Sequence, residues 1–197
     1  MEIILATHNL DKCKELQETF INTGIKIYTL KDFPEIGEIT EDGATLEENA
    51  FIKSRTVYNL TKIPTISDDT GLEVDALNGA PGIYSARYAG EECSYSDNVN
   101  KLLLDMKNID QKYRTATFKT VVTYVSQELE LVAEGSVKGI ITRKAYGKKG
   151  FGYDPIFYVL SQDKTFAEMN INEKQQSSHR GNAIANLKRL FKEHNLL

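Results

Sequence analysis

Cysteine is scarce: the 197 residues hold two, Cys13 and Cys93. Two distant thiols make no disulfide framework. With only His8, His179 and His194 beside them they make no zinc-ligand spacing either, so both read as packing residues. Proline occurs four times, at Pro34, Pro64, Pro81 and Pro155. There is no Pro-, Ser- or Gly-rich linker, internal repeat or low-complexity tract, and a single domain over residues 1–197 is expected. A chain of this length can bury about 70% of its unfolded surface and needs no covalent staple. No apolar run approaches the roughly 18 residues of a membrane span. The opening stretch, with Glu2 and then only Ile3-Ile4-Leu5-Ala6 as consecutive apolar residues, is unlike a signal peptide. Basic residues are not in excess: 24 Lys plus Arg stand against 28 Asp plus Glu, a net charge of −4. That argues against broad binding to nucleic acid or to a membrane surface. A cytoplasmic protein is the expectation, and a small anionic ligand needs only a local basic cluster.

What is present is an ordinary globular mixture, 41% apolar and 26% charged, in which strand and helix patterns alternate as in α/β proteins. The run Ile3 to Ala6 suits a buried parallel strand. A helix is expected over 11–22, with Cys13, Leu16 and Phe20 on one face and Gly24 closing it. Ile25 to Tyr28 alternates like a second strand. Thr45-Leu46-Glu47-Glu48 is a capping-box pattern opening a helix over about 46–60. Thr65-Ile66-Ser67 reads as a strand ending in Asp68-Asp69. Val99, Leu102, Leu103 and Met106 recur at helical spacing. Residues 114–126 and 129–138 read as a long hairpin, and Ile156 to Leu160 as a further strand. Ala183, Leu187, Leu190 and Phe191 mark a C-terminal helix.

Five stretches carry candidate chemistry. The turn Thr7-His8-Asn9-Leu10-Asp11-Lys12 leaves a buried strand for a helix, whose open amides and positive dipole end suit phosphate. Ordinary capping residues look the same. Lys53 falls on the apolar stripe Leu46, Ala50, Val57, Leu60. A buried ammonium there needs an anion, although a lysine snorkelling at the stripe's edge is the plainer alternative. Asn49 lies one turn earlier. Asp68-Asp69-Thr70-Gly71 puts two carboxylates at a strand end, where α/β sheets bind ligands, with Gly71 permitting a sharp turn. Adjacent side chains point to opposite faces, so one carboxylate serves as metal ligand or base and the other orients a loop. Glu41 offers a second hard oxygen for Mg²⁺. In Gly150-Phe151-Gly152-Tyr153-Asp154, aromatic faces suit a stacked base and Asp154 a directional acceptor, although a glycine-rich turn over core aromatics reads the same way. Lys174 and then Ser178-His179-Arg180 precede the last helix. Ser178 is placed to cap it, and Arg180 to reach an anion.

Taken together these segments resemble the noncanonical purine nucleoside triphosphate pyrophosphatases, the inosine/xanthosine triphosphatase (Ham1-like) family. The resemblance spans nearly the whole chain. It rests on Thr-x-Asn-x-x-Lys at 7–12, Glu41-Asp42-Gly43, Glu48-Asn49-Ala50 and Asp68-Asp69-Thr70-Gly71-Leu72. It continues through residues 79–87 (GAPGIYSAR) and 150–157 (GFGYDPIF), and ends with Glu173-Lys174 and Ser178-His179-Arg180. Three positions depart from the family pattern. Thr70 stands where Ser is usual, Lys149 where Gly is common, and Thr40 where many relatives carry a second acid.

The resemblance implies an α/β fold: an elongated mixed β-sheet platform with flanking helices that form two lobes around a cleft, usually in a homodimer. It implies hydrolysis of inosine, deoxyinosine and xanthosine triphosphates to a monophosphate and pyrophosphate, which clears deaminated purines from the nucleotide pool. Thr7, His8, Asn9, Leu10, Asp11 and Lys12 would hold phosphate. Lys12, Lys53, Lys174 and Arg180 would share its charge, with Thr70 as a hydroxyl donor. Phe151, Gly152, Tyr153, Asp154, His179 and Arg180 would enclose the base. Mg²⁺ would be held by Glu41 and Asp69, and Asp69 stands at the family's general-base position. Two other classes remain open on the same fold. One is a nucleotide-binding sensor without turnover; the other is a pyrophosphatase for other nucleotides, modified or pyrimidine.

Overall fold

The computed structural model describes residues 1–21 and 23–197. The elements follow in the order β1 (Glu2–Leu5), α1 (Leu10–Thr19), β2 (Lys26–Thr29), α2 (Leu46–Thr61), β3 (Thr65–Val74), β4 (Pro81–Gly82), α3 (Tyr95–Asp105) and β5 (Thr115–Val125). Then come β6 (Glu130–Ile141), β7 (Phe157–Val159), β8 (Lys164–Thr165), α4 (Ile171–Ser177) and α5 (His179–Glu193). The strands make one eight-stranded sheet in the order β2-β1-β3-β5-β6-β7-β8, with β4 paired to β3. It is mixed: β1 runs parallel to β2 and β3, while β6–β7, β7–β8 and β3–β4 are antiparallel. The expected mixed α/β sheet with flanking helices is therefore present. Among the described residues, no helix is long and apolar enough to cross a membrane.

The chain forms two compact units. The first comprises Met1–Asp69, Thr120–Gly135 and Asn182–Leu197, and the second Thr70–Lys119 and Ser136–Gly181. In the first unit the alternation of strand side chains sorts the core. Ile3, Leu5 and Ile66 pack with Leu16 and Phe20 of α1 and with Leu187 and Phe191 of α5. Ile4 and Ala6, one residue out of phase, pack with Val57 of α2 and with Leu30 and Ile36. Side chains two apart share a face, so this register also decides which helix each polar residue of β3 meets. The second unit has its own core, in which Leu72, Val99, Leu102, Phe118, Tyr153, Phe157 and Phe166 meet. Within that unit the buried Arg114 donates to the carbonyls of Met106, Ile141 and Thr142 at 2.6–2.8 Å.

Several boundaries differ from those expected. The helix expected over 11–22 spans Leu10–Thr19, because Phe20 already leaves helical geometry; residue 22 lies outside the described residues. The helix over 46–60 is found as Leu46–Thr61 with Thr45 as its cap, but Leu60 is 66% exposed and the buried stripe ends at Val57. The larger correction is β3. It does not stop at Asp68-Asp69 but runs on to Val74, with both acids, Thr70 and Gly71 inside it. Beyond this segment the strand pairs with β4, Leu72 opposite Gly82 and Glu73 opposite Pro81. Gly71 therefore makes no sharp turn.

Candidate functional site

The first unit carries two charged arrangements on β3. Asp68 points toward α1 and is fully buried, and Lys12 Nζ lies 3.4 Å from its Oδ2. Asp69, next along the strand, points toward α2, where Asn49 Nδ2 donates to its Oδ2 at 3.3 Å. Opposite orientation of adjacent strand residues thus holds, with two different helices supplying the partners. A carboxylate inside a strand is expensive unless it is paired, and each of these is met by a helix-borne donor.

Lys53 is buried on α2, as its place on the apolar stripe requires, and it has the anion that burial demands. Its Nζ donates to Glu41 Oε2 at 2.6 Å and stands 3.9 Å from Asp69 Oδ1. The loop that brings Glu41 here is fixed by the start of α2. Thr45 Oγ1 accepts from the Glu48 amide and Glu48 Oε2 from the Ala44 amide. Asn49 Oδ1 accepts from the Gly43 amide at 2.9 Å. A side chain on Gly43 would collide with Glu48 and Asn49. Asn49 therefore ties the Glu41 loop to Asp69, a role that its proximity to Lys53 in sequence did not reveal.

The turn after β1 is more self-contained than expected. Asn9 Oδ1 accepts from the Asp11 and Lys12 amides at 3.0 and 3.1 Å, and Thr7 Oγ1 accepts from the Asn9 amide at 3.2 Å. Asn9 is thus the N-cap of α1, and three amides expected to face phosphate are bonded within the turn. His8 is exposed, with Nε2 3.2 Å from the Gly37 carbonyl, and Leu10 is exposed. Beside the turn lies a cavity of about 320 Å³ lined in part by Thr7, Leu10, Cys13, Leu30 and Lys31. Burial, with the Asp68 charge as a second cause, pushes the Cys13 thiol up from its ordinary pKa, away from a reactive thiolate.

The second unit holds the other expected residues. Arg180, at the start of α5 and buried, donates from Nη2 to Thr70 Oγ1 at 3.1 Å. Ser178 accepts from the Gly181 amide and caps α5 as expected. Phe151 is half-buried, with Lys174 Nζ 4.7 Å and Arg180 Cζ 5.6 Å from its ring centre. Asp154 Oδ2 accepts both from the Phe151 amide (2.8 Å) and from Lys174 Nζ (2.7 Å). It is engaged in shaping this loop, and Lys174 finds its anion in Asp154. Gly147, Gly150 and Gly152 all have positive φ, and a Cβ on Gly150 would run into the Asp154 carboxylate. That glycine is needed for packing inside the protein, where the sequence suggested close approach of a ligand.

Two expected base contacts sit in the core. Tyr153 is 4% exposed and its hydroxyl donates to the Ser85 carbonyl, so its ring is not a stacking face. His179 is buried and lies flat on Phe118, with centroids 4.4 Å apart and planes 10° apart. The aromatic that does accompany Phe151 is Tyr95, at the first position of α3 and 44% exposed, with its centroid 5.8 Å away. No motif pointed to it, because its neighbour lies far along the chain.

Among the described residues, no group of three His, Cys, Asp or Glu side chains is gathered for a metal ion. Glu41 and Asp69 do present two hard oxygens around one ammonium. That donor set fits Mg²⁺, which keeps waters and takes substrate phosphate oxygens to fill its shell.

A family model described as the Ham1 family matches residues 3–190. The dITP/XTP pyrophosphatase of Thermoanaerobacter pseudethanolicus is 45% identical over 188 residues, covering 95% of each chain. That of Listeria innocua serovar 6a is 44% identical over 189 residues, covering 95% of this chain and 93% of the other. Among solved structures, the Staphylococcus aureus Ham1 protein is 39% identical with a TM-score of 0.88, covering 98% of this chain and 100% of that one. A HAM1 protein from Coxiella burnetii is 39% identical with a TM-score of 0.89, covering 98% and 99%.

Proposed function

The chain belongs to the Ham1 family, and on that footing we propose that it hydrolyses deaminated purine nucleoside triphosphates, dITP, ITP and XTP, to the monophosphate and pyrophosphate. Relatives at 44–45% identity bear the name dITP/XTP pyrophosphatase. The observation that carries the reading in this chain is the convergence of Glu41 and Asp69 on Lys53. Two carboxylates and a lysine in one place are what a polyphosphate with its cation requires.

Lys53 and Lys12 supply positive charge for the phosphates, and the Thr7–Lys12 turn positions them. Mg²⁺ held by Glu41 and Asp69 would neutralise developing phosphate charge and acidify an attacking water. Asp69, held by Asn49, would take that water's proton. Phe151 offers the base a flat face, and Arg180, buried with Nη2 on Thr70 Oγ1, would turn a donor toward it. A guanidinium donates and cannot accept, so it pairs with the C6 carbonyl of hypoxanthine or xanthine and leaves the adenine amino group facing another donor. Lys174, Asp154, Tyr153 and His179 shape that region from behind. Turnover on a homodimer in the cytoplasm, where nucleoside triphosphates are pooled, completes the proposal.

The test is a panel of nucleoside triphosphates under steady-state conditions. The expected kcat/KM for dITP and XTP exceeds that for ATP and GTP by ~10²-fold or more. A flat profile, or a preference for a pyrimidine, overturns the substrate assignment. Binding of dITP without turnover identifies a sensor instead.

A further inference from the structure

Lys53 stands between the two carboxylates that the proposed function assigns to the metal. Its ammonium is 2.6 Å from Glu41 Oε2 and 3.9 Å from Asp69 Oδ1, and its side chain is 8% exposed. Those distances describe a cation hydrogen-bonded to one carboxylate and ion-paired with the other. We propose that Lys53 is the resident counter-ion of the metal site. In the metal-free protein it neutralises Glu41 and Asp69, and a divalent cation binds by displacing its ammonium from them. The inference rests on the assignment of Glu41 and Asp69 as metal ligands.

Three features support exchange over a fixed ion pair. First, the ammonium sits at the end of four flexible methylenes, whereas Asp69 is fixed by β3 and by Asn49, and the Glu41 loop is tied to α2 through Gly43. The lysine has the longest flexible stem of the three. Second, two carboxylates brought together without a cation repel each other. A resident cation keeps the pair assembled before metal arrives. Third, a displaced ammonium on the same buried stripe remains beside the site, where triphosphate carries charge to receive it. The lysine would thus exchange carboxylate partners for phosphate when metal and nucleotide bind together. Metal alone would bind weakly, because it must evict a cation and offers that cation no new anion.

The test is binding of Mn²⁺ to the nucleotide-free protein, followed by the electron paramagnetic resonance signal of free Mn²⁺. Lys53→Met removes the competing charge and keeps the stem. The expected result is Mn²⁺ affinity at least ~10-fold tighter than in the parent. Glu41→Gln should weaken binding in the parent background, which places the measured ion at this site. Unchanged or weaker affinity in Lys53→Met overturns the proposal, and Lys53→Gln, with a polar end, serves the same measurement if the methionine variant does not fold. Hydrolysis of dITP by the parent protein is measured separately. Its absence would refute the functional reading while leaving a tightened Mn²⁺ affinity to stand, and the reverse pair of results would remove only the exchange.

Discussion

Asn49 Nδ2 donates to Asp69 Oδ2 at 3.3 Å, while its own Oδ1 accepts from the Gly43 amide. One buried amide thereby fixes a carboxylate on β3 and the loop that carries Glu41. Asn49→Ala removes both bonds and is expected to cost about 1–3 kcal/mol of stability, the range for leaving buried polar groups unsatisfied. It should also lower kcat by ~10-fold or more, through loss of alignment at Asp69. Urea unfolding and steady-state kinetics on dITP measure the two effects. A stability loss with unchanged kcat would make Asn49 purely structural.

Asp68 and Asp69 are adjacent yet should behave oppositely. Asp69→Asn keeps shape and removes charge, and turnover should fall by ~10²-fold or more while the melting temperature stays near the parent's. Asp68 is fully buried against Lys12. Asp68→Asn removes the charge that faces that ammonium and should destabilise the fold by about 3–5 kcal/mol, the range for breaking a buried pair. Thermal unfolding beside dITP hydrolysis separates the two. Equal melting temperatures for both variants would contradict the division of roles.

How far the sequence reaches is clear from these same residues. Lys53 was legible because apolar residues at steps of four, three and four put it on a buried seam, and burial of an ammonium dictates an anion. Leu60 completed that pattern on paper yet is exposed, because helical phase alone does not say where along a helix burial ends. Asp68 and Asp69 look like strand terminators by propensity. They lie mid-strand because α1 and α2 bring Lys12 and Asn49 to them, and that pairing is tertiary. Phe151 and Tyr153 were indistinguishable as aromatics two apart around a glycine. One is half-buried beside Lys174 and Arg180, while the other fills the core of the second unit. The N-cap role of Asn9 was legible as one of two readings, and the amides bonded within the turn support it.

Gly150→Ala should be costly for two separate reasons. Its φ is +72°, which an L-residue adopts only with strain, and the added methyl would meet the Asp154 carboxylate. Displacing Asp154 breaks its bonds to the Phe151 amide and to Lys174. A loss of about 1–3 kcal/mol and a raised KM for dITP are expected, with kcat less affected. Chemical denaturation and KM determination test this. A variant matching the parent in both would show that the loop does not depend on Asp154.

Tyr88 donates to Asp105 Oδ2 at 2.6 Å. Burial, together with that bond and the Asp105 charge, pushes its phenol up to about 12. Because the folded value lies above the ordinary value of 10.0, its contribution to stability is fully present below pH 10 and fades as pH rises through about 12. A difference titration at 295 nm between the parent and Tyr88→Phe should show one phenol ionising near pH 12. A difference step near pH 10 would mean that the Tyr88–Asp105 contact does not hold the proton.

Cleavage between the α and β phosphates leaves a signature in the ³¹P nuclear magnetic resonance spectrum of a dITP digest. dIMP and pyrophosphate should appear together in equal amounts from the first time point and only with a divalent cation present. Production of dIDP and inorganic phosphate would contradict that cleavage, since the bond broken would then be the one between the β and γ phosphates.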